Sequence, residues 1–271
     1  MSIRHVFFST MILGLAASSC FAGCGDDTDT APPAKAAAPA AAPAAAGQPA
    51  SNAPAAPAMA GAIKGTIKFE GDVPAKEKVD LSPDAYCKEN HGAEGMETPG
   101  GIVRGANGGL KDVFVQLTGV PETKRETPSE PVVLDQHGCT YKPHVFGVMK
   151  KQTIKILNSD STLHNIHSQP KSNKEFNLAM PNKDDSRDQE FKKAEEAIHI
   201  KCDVHPWMSA WCFVMEHPYF AVTGDDGAFS IPSDLPDGEY GIKAWHETLG
   251  EQTGKVTVKD GNGTFDLSFK K

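Results

Sequence analysis

The sequence has 271 residues and a net charge of −8, with 35 acidic against 27 basic side chains. Such an acidic chain is a poor binder of nucleic acid or anionic lipid, since both reward clustered Lys and Arg, and no basic stripe interleaved with aromatics is present. Six cysteines and ten histidines leave room for a disulfide and for a metal site.

In chain order, Arg4 and His5 precede an apolar run from Val6 to Ala17, followed by small residues. A positive start, a short apolar stretch and small residues predict a secretory signal peptide over residues 1–23. The run is too short for a membrane span, which takes about 20 apolar residues. Phe21-Ala22-Gly23-Cys24 resembles a bacterial lipobox, which makes Cys24 the expected lipidation site. Ala17-Ser18-Ser19-Cys20 is a poorer match, and Phe21 departs from the usual aliphatic residue. Residues 24–60 are nearly all Ala and Pro in their second half. Proline disrupts helix and alanine has little to bury, so a disordered linker is expected there. The localisation implied is export to the periplasm or cell surface, with the membrane reached only through a lipid.

From Gly61 onward the pattern is that of strands. Ile63, Ile67 and Phe69 alternate with Lys64, Thr66 and Lys68. Val113, Val115 and Leu117, then Ile154 and Ile156, then Ile198 and Ile200 repeat the period of two. Phe229 and Ile231, Tyr240 and Ile242, Val256 and Val258, and Phe265, Leu267 and Phe269 complete it. This period predicts an all-β fold, with turns at Gly224–Gly227, Pro236–Gly238 and Asp260–Gly263. Only Asp184 to Ala197 reads as helical, as a charged, solvated segment.

The chemistry gathers in Cys202-Asp203-Val204-His205-Pro206-Trp207-Met208, a short loop between two apolar runs. A thiolate, an imidazole and a thioether suit copper in both of its oxidation states, whereas zinc sites seldom use methionine. Blue-copper sites take two histidines and a cysteine in a plane, with a weak axial methionine, so a second histidine must come from elsewhere.

Residues from about Thr140 to Met215 resemble the cupredoxins. Asn158-Ser159-Asp160 after a strand, then His164-Asn165, then Cys-x2-His-x2-Met, is similar to the short-loop amicyanins in particular. The resemblance implies one copper ion held by His164, Cys202, His205 and Met208, with Asn165 tying the two ligand loops together. It implies electron transfer through the edge of His205, and a docking patch at Pro206 and Trp207, although Trp207 could equally be a packed aromatic. His167 is an alternative to His164. His199 is expected to face away from Cys202, and His144, His217 and His246 are read as structural. With Cys202 on the metal, Cys87 and Cys139, both in loop-like sequence, are the expected disulfide, and Cys212 a buried free thiol.

The flanks resemble a carboxypeptidase regulatory-like (prealbumin-like) module in Gly61–Ile67, Val222–Ile231 and Leu235–Tyr240. Tyr240 to His246 also resembles the accessory domain of some polysaccharide lyases. The implied architecture is a cupredoxin Greek-key β-sandwich at 130–216 with a second small prealbumin-like β-sandwich. The latter is drawn from 61–129 and 217–271, with insertion or tandem arrangement left open. No Gly-x-Ser-x-Gly elbow, paired carboxylates, phosphate loop or second histidine pair points to an enzyme. The expected role is a one-electron carrier meeting a redox partner such as a cytochrome or periplasmic oxidoreductase. A surface-anchored binding lipoprotein with a structural copper, or a copper-handling protein, is the alternative.

Overall fold

The computed structural model describes residues 61–122 and 125–271. The expected signal peptide, Cys24 and the Ala/Pro-rich linker lie outside the described residues. Strand β1 (Gly61–Glu70) is the first element of the described residues, followed by helix α1 (Ala85–His91) and β2 (Phe114–Thr118). A middle series follows: β3 (Val132–Gln136), β4 (Tyr141–Lys142), β5 (Val145–Met149), β6 (Ile154–Asn158), β7 (His164–Gln169), β8 (Asn177–Met180), β9 (Ser186–Gln189), β10 (Glu195–Lys201) and β11 (Ser209–Met215). The last series is β12 (Phe220–Val222), β13 (Ala228–Ser233), β14 (Gly238–His246), β15 (Gly250–Val258), β16 (Gly263–Thr264) and β17 (Leu267–Lys270).

The fold is all-β, as the alternation predicts, with four sheets among the described residues. The middle strands form two of them, in the orders β5-β11-β10-β7-β8 and β4-β3-β6-β9. The outer strands form the other two: β13-β1-β16, with β17 also on β1, and β12-β2-β14-β15. Strands from the two ends of the chain therefore share sheets, and the middle stretch leaves and re-enters between β2 and its neighbour β12.

Each pair of sheets closes on its own core. Ile63, Ile67, Val115, Leu117, Ile231, Ile242 and Val256 fill the outer one. Leu134, Phe146, Val148, Ile156, Ile166, Ile198 and Ile200 fill the middle one. A third cluster joins them, with Phe114 of β2 stacked on Phe213 of β11 at 3.9 Å between ring centroids. Each fully buried Phe there contributes about 1.5–3 kcal/mol. Gly147 makes the approach possible, because a Cβ at that position would meet the Phe220 and Phe114 rings at 2.5 and 2.7 Å.

Two expectations are corrected. The segment 184–197 is not helical: it contains β9 and the start of β10, with a register shift between Glu195 and Ile198 and Ala197 at φ 50°. Its charges suit a helix surface equally well, and β9 is solvated on both faces, so no alternation betrays it. Cys87 is not in a loop but in α1. Asp84 caps that helix by accepting the Cys87 N–H at 2.8 Å, and Gly92 ends it. Among the described residues no helix is long and apolar enough to cross a membrane.

A half-buried ion pair reinforces the seam between the two cores. Nε2 of His144 lies 2.8 Å from Glu247 Oε1 and Nδ1 lies 2.9 Å from the Ser209 carbonyl; acceptors on both ring nitrogens favour the imidazolium, in which both donate. Glu247 also accepts from Trp211 Nε1–H at 2.8 Å and from the Gly101 N–H. Burial works to lower the His144 pKa, but the bond to Glu247 and the charges of Glu247 and Asp112 outweigh it and raise the value. Burial pushes Glu247 up, yet His144, Gly101 and Trp211 hold it down to about 2.

The sign of the linkage follows from these shifts. The His144 contribution is complete below its ordinary value of 6.5 and fades as pH rises through the raised one. The Glu247 contribution is complete above 4.5 and fades as pH falls toward about 2. Both are present together between 4.5 and 6.5. Glu247→Gln is therefore expected to cost about 1–2 kcal/mol in urea unfolding at about pH 5.5, since it leaves a half-buried cation without its partner, and less at alkaline pH. An equal cost at both pH values would show that the pair carries no charge.

Candidate metal centre

Strand parity positions the cysteine. Ile198 and Ile200 of β10 point into the middle core, and Cys202, two residues on, keeps that direction and is 2% exposed. The loop after it folds tightly: Met208 N–H donates to the His205 carbonyl at 2.9 Å, and Cys202 N–H donates to the Met208 carbonyl at 3.2 Å. His205 and Met208 are thereby turned inward, at 2% and 0% exposure. On the other side β7 begins at His164, which is fully buried and lies opposite Met180 of β8.

These elements bring His164, Cys202 and His205 together, with one donor atom from each within 4.8 Å of the others. The two Nδ1 atoms are 2.9 Å apart, and Cys202 Sγ is 4.0 Å from Nδ1 of His205. Donors bound to one ion at about 2.0–2.3 Å stand roughly 3–4 Å apart, so this spacing fits a single metal ion. Met208 belongs to the same buried cluster as Cys202. The donor set of two imidazoles, a thiol and a nearby thioether fits copper.

Asn165 links the two loops. Its Oδ1 accepts the Asp203 N–H at 2.7 Å and lies 3.3 Å from Cys202 Sγ. The His205 N–H also donates to that sulfur, at 3.4 Å. Burial raises the Cys202 pKa, but hydrogen bonds from His164 and His205, with the Asn165 and His205 backbones, bring it down to about 6. The thiolate needed to bind a metal is therefore well populated near neutral pH.

Both outer ring nitrogens meet carboxylates that sequence reasoning missed. Nε2–H of His164 donates to Asp160 Oδ2 at 3.0 Å, and Nε2–H of His205 donates to Asp84 Oδ2 at 3.1 Å. Asp160 also accepts from the Gly138 and Cys139 N–H groups at 2.8 and 2.7 Å. Burial pushes Asp160 up, but His164 and these N–H groups hold it down to about 2. His164 itself is shifted up: burial lowers it, and its bonds to Asp160 and Cys202 more than reverse that. A carboxylate on the outer nitrogen fixes the ring tautomer and aims the inner lone pair. Asp160, four residues before His164 in a turn, carried the only sequence signal of this arrangement.

The remaining predicted residues fall as follows. Cys87 and Cys139 form a disulfide, and Cys212 is a buried free thiol whose pKa burial pushes up. His167 faces Asp203 and Glu175, away from the donor cluster. His199 lies on the opposite face of β10 from Cys202, against Gln169 and Ser209. Pro206 is exposed, while Trp207 is half-buried and donates Nε1–H to the Cys139 carbonyl at 3.0 Å. The expectation of a solvent-reaching His205 edge is corrected: residues 84–87 lie over it, with Cys87 Sγ 4.0 Å from its Nε2. The covering segment is remote in sequence, so nothing near the ligand loop announces it.

No protein-family model matches this chain, and no curated protein matches it. Several solved structures do. The copper-containing nitrite reductase of Thermus scotoductus is 19% identical over 36% of this chain, with a TM-score of 0.29. The match spans 25% of that enzyme, about a quarter of its length. A purple cupredoxin of Nitrosopumilus maritimus is 22% identical, covering 31% of this chain and 98% of its own, with a TM-score of 0.27. A Cu(I) amicyanin variant is 20% identical, covering 37% of this chain and 98% of its own, with a TM-score of 0.29.

Proposed function

We propose that this chain is an exported type-1 copper protein that carries single electrons, with His164, Cys202, His205 and Met208 as ligands of one copper ion. The observation that carries the reading is the convergence of three soft or borderline donors on one buried point. They come from the start of β7 and from the loop after β10, and His164 and His205 are 41 residues apart in sequence. Bound copper supplies the one-electron couple. The chain supplies a rigid frame: Asp160 and Asp84 hold the imidazoles, Asn165 and the His205 N–H hold the sulfur, and strands β7 and β10 fix the spacing. A frame that does not move on electron gain or loss keeps reorganisation small. Four protein donors leave no open position for a substrate, which favours a carrier over an enzyme.

In this reading the signal peptide and the lipid on Cys24 place the protein in the periplasm or on the cell surface. The Ala/Pro linker holds it off the membrane, and the partner is a cytochrome or another redox protein. The flanking sheets act as an accessory β module of the regulatory-like kind. Voltammetry of the copper-loaded protein tests the proposal. A reversible one-electron wave, together with an intense visible thiolate-to-copper band, is the expected result. A colourless protein with no such wave would end it.

A further inference from the structure

We propose that residues 84–87 are a fixed cover on the metal centre, in which Asp84 is a positioning residue for His205 and the Cys87–Cys139 disulfide is the staple that holds the cover in place. The inference rests on the reading that His205 binds the metal through Nδ1. That nitrogen faces His164 and Cys202, which leaves Nε2 on the outer side of the ring. An outer edge left open to water would exchange its proton freely with solvent, and its ring would be free to turn. Here it meets Asp84 Oδ2 at 3.1 Å, and His205 is 2% exposed.

Asp84 is itself held on both oxygens. Oδ1 accepts the Cys87 N–H at 2.8 Å, and Oδ2 accepts the Thr162 hydroxyl at 2.7 Å. Across the disulfide the arrangement repeats, since the Cys139 N–H donates to Asp160, the carboxylate that holds His164. Each half-cystine thus anchors one carboxylate, each carboxylate holds one imidazole, and the S–S bond joins the two assemblies. Tyr86 adds a cross-brace by donating its hydroxyl to Asp160 Oδ1 at 3.1 Å. The cover closes the His205 edge to water and to external ligands.

The test compares Asp84→Ala, Asp84→Asn and Cys87→Ser/Cys139→Ser with the wild type. In the metal-free protein, solvent exchange of the His205 Nε2 proton is followed by histidine-labelled NMR. In the copper-loaded protein, the visible spectrum and reduction potential are recorded, with added imidazole as a probe of access. Asp84→Ala is expected to accelerate exchange by about tenfold or more, the factor of one lost hydrogen bond to a charged group. It is also expected to shift the spectrum and to let imidazole perturb it. Asp84→Asn keeps an acceptor and should restore most of the protection, and the double serine variant should resemble Asp84→Ala.

Unchanged exchange and unchanged imidazole response in a folded Asp84→Ala protein, with its melting checked by circular dichroism, would overturn the cover. The exchange experiment needs no copper, so a wild type without the thiolate band would sink the copper reading and leave the cover to be judged by NMR. Should Asp84→Ala not fold, the Asp84→Asn and double serine proteins decide by the same measurements.

Discussion

Serine in place of Cys202 is expected to remove the visible thiolate-to-copper band completely and to weaken copper binding by more than about 100-fold. Loss of an outer partner alone is worth about 10–100-fold, and this substitution removes a direct donor. The reason is chemical. A thiol with a pKa brought down to about 6 ionises and binds a soft metal, whereas a serine hydroxyl does neither near neutral pH. The fold should survive. The serine oxygen would sit at a position 2% exposed, but the Asn165 carbonyl and the His205 N–H remain in reach as partners. A stability loss of about 1 kcal/mol is expected from that exchange of partners. Titration with Cu(II), followed by absorbance and by competition with a chelator, measures both band and affinity. A band of undiminished strength in the variant would show that another residue supplies the thiolate.

Removal of the disulfide should produce the largest change in stability. Cys87 and Cys139 close a loop with a sequence separation of 52. Chain-entropy arithmetic for a loop of that length gives about 4 kcal/mol. That is a large fraction of the 5–15 kcal/mol typical of a folded domain, though not all of it. The local packing cannot replace the bond. The cluster around it is small, with Leu81, Cys87, Met96 and Cys139 buried and Val79, Tyr86 and Trp207 packed against them. Urea unfolding of the double serine variant against the oxidised wild type measures the loss, and adding a strong dithiol reductant to the wild type should reproduce it. Coincident unfolding curves for oxidised and reduced protein would mean that the bond contributes nothing to the folded state.

What could be read in advance divides along physical lines. Strands with one buried face announce themselves, because Ile63, Ile67 and Phe69, or Ile198 and Ile200, alternate with polar residues. Metal donors on one tight loop are equally plain, since Cys202, His205 and Met208 keep a fixed spacing whatever the rest of the chain does. His164 needed a likeness to other proteins, because a donor from another strand has no local signature. Strand β9 was misread because neither of its faces is buried. Ser82-Pro83-Asp84 and Gly92 are sound start and stop signals for helix α1, and Asp84 as its cap was legible in principle. That Asp84 also reaches His205 was not legible, because the contact spans 121 residues and depends on how three separate segments stack. The trapped Glu247–His144 pair, 103 residues apart, escaped notice for the same reason.

The course of the polypeptide through the outer sheets has a bearing on how the molecule assembles. The Val113 N–H waits for the Thr223 hydroxyl, 110 residues downstream, and β2 cannot acquire its neighbours β12 and β14 any sooner. The middle stretch, by contrast, finds its partners within itself. Its early collapse would draw Thr118 and Phe220 close, turning a distant encounter into a near one and removing much of the entropic cost of closing so long a loop. In that order of events the inner sandwich would serve as the scaffold on which the outer sheets condense. A lesion in that inner part would leave β1 and β2 as unpaired, adhesive edges while the remainder of the chain is still searching.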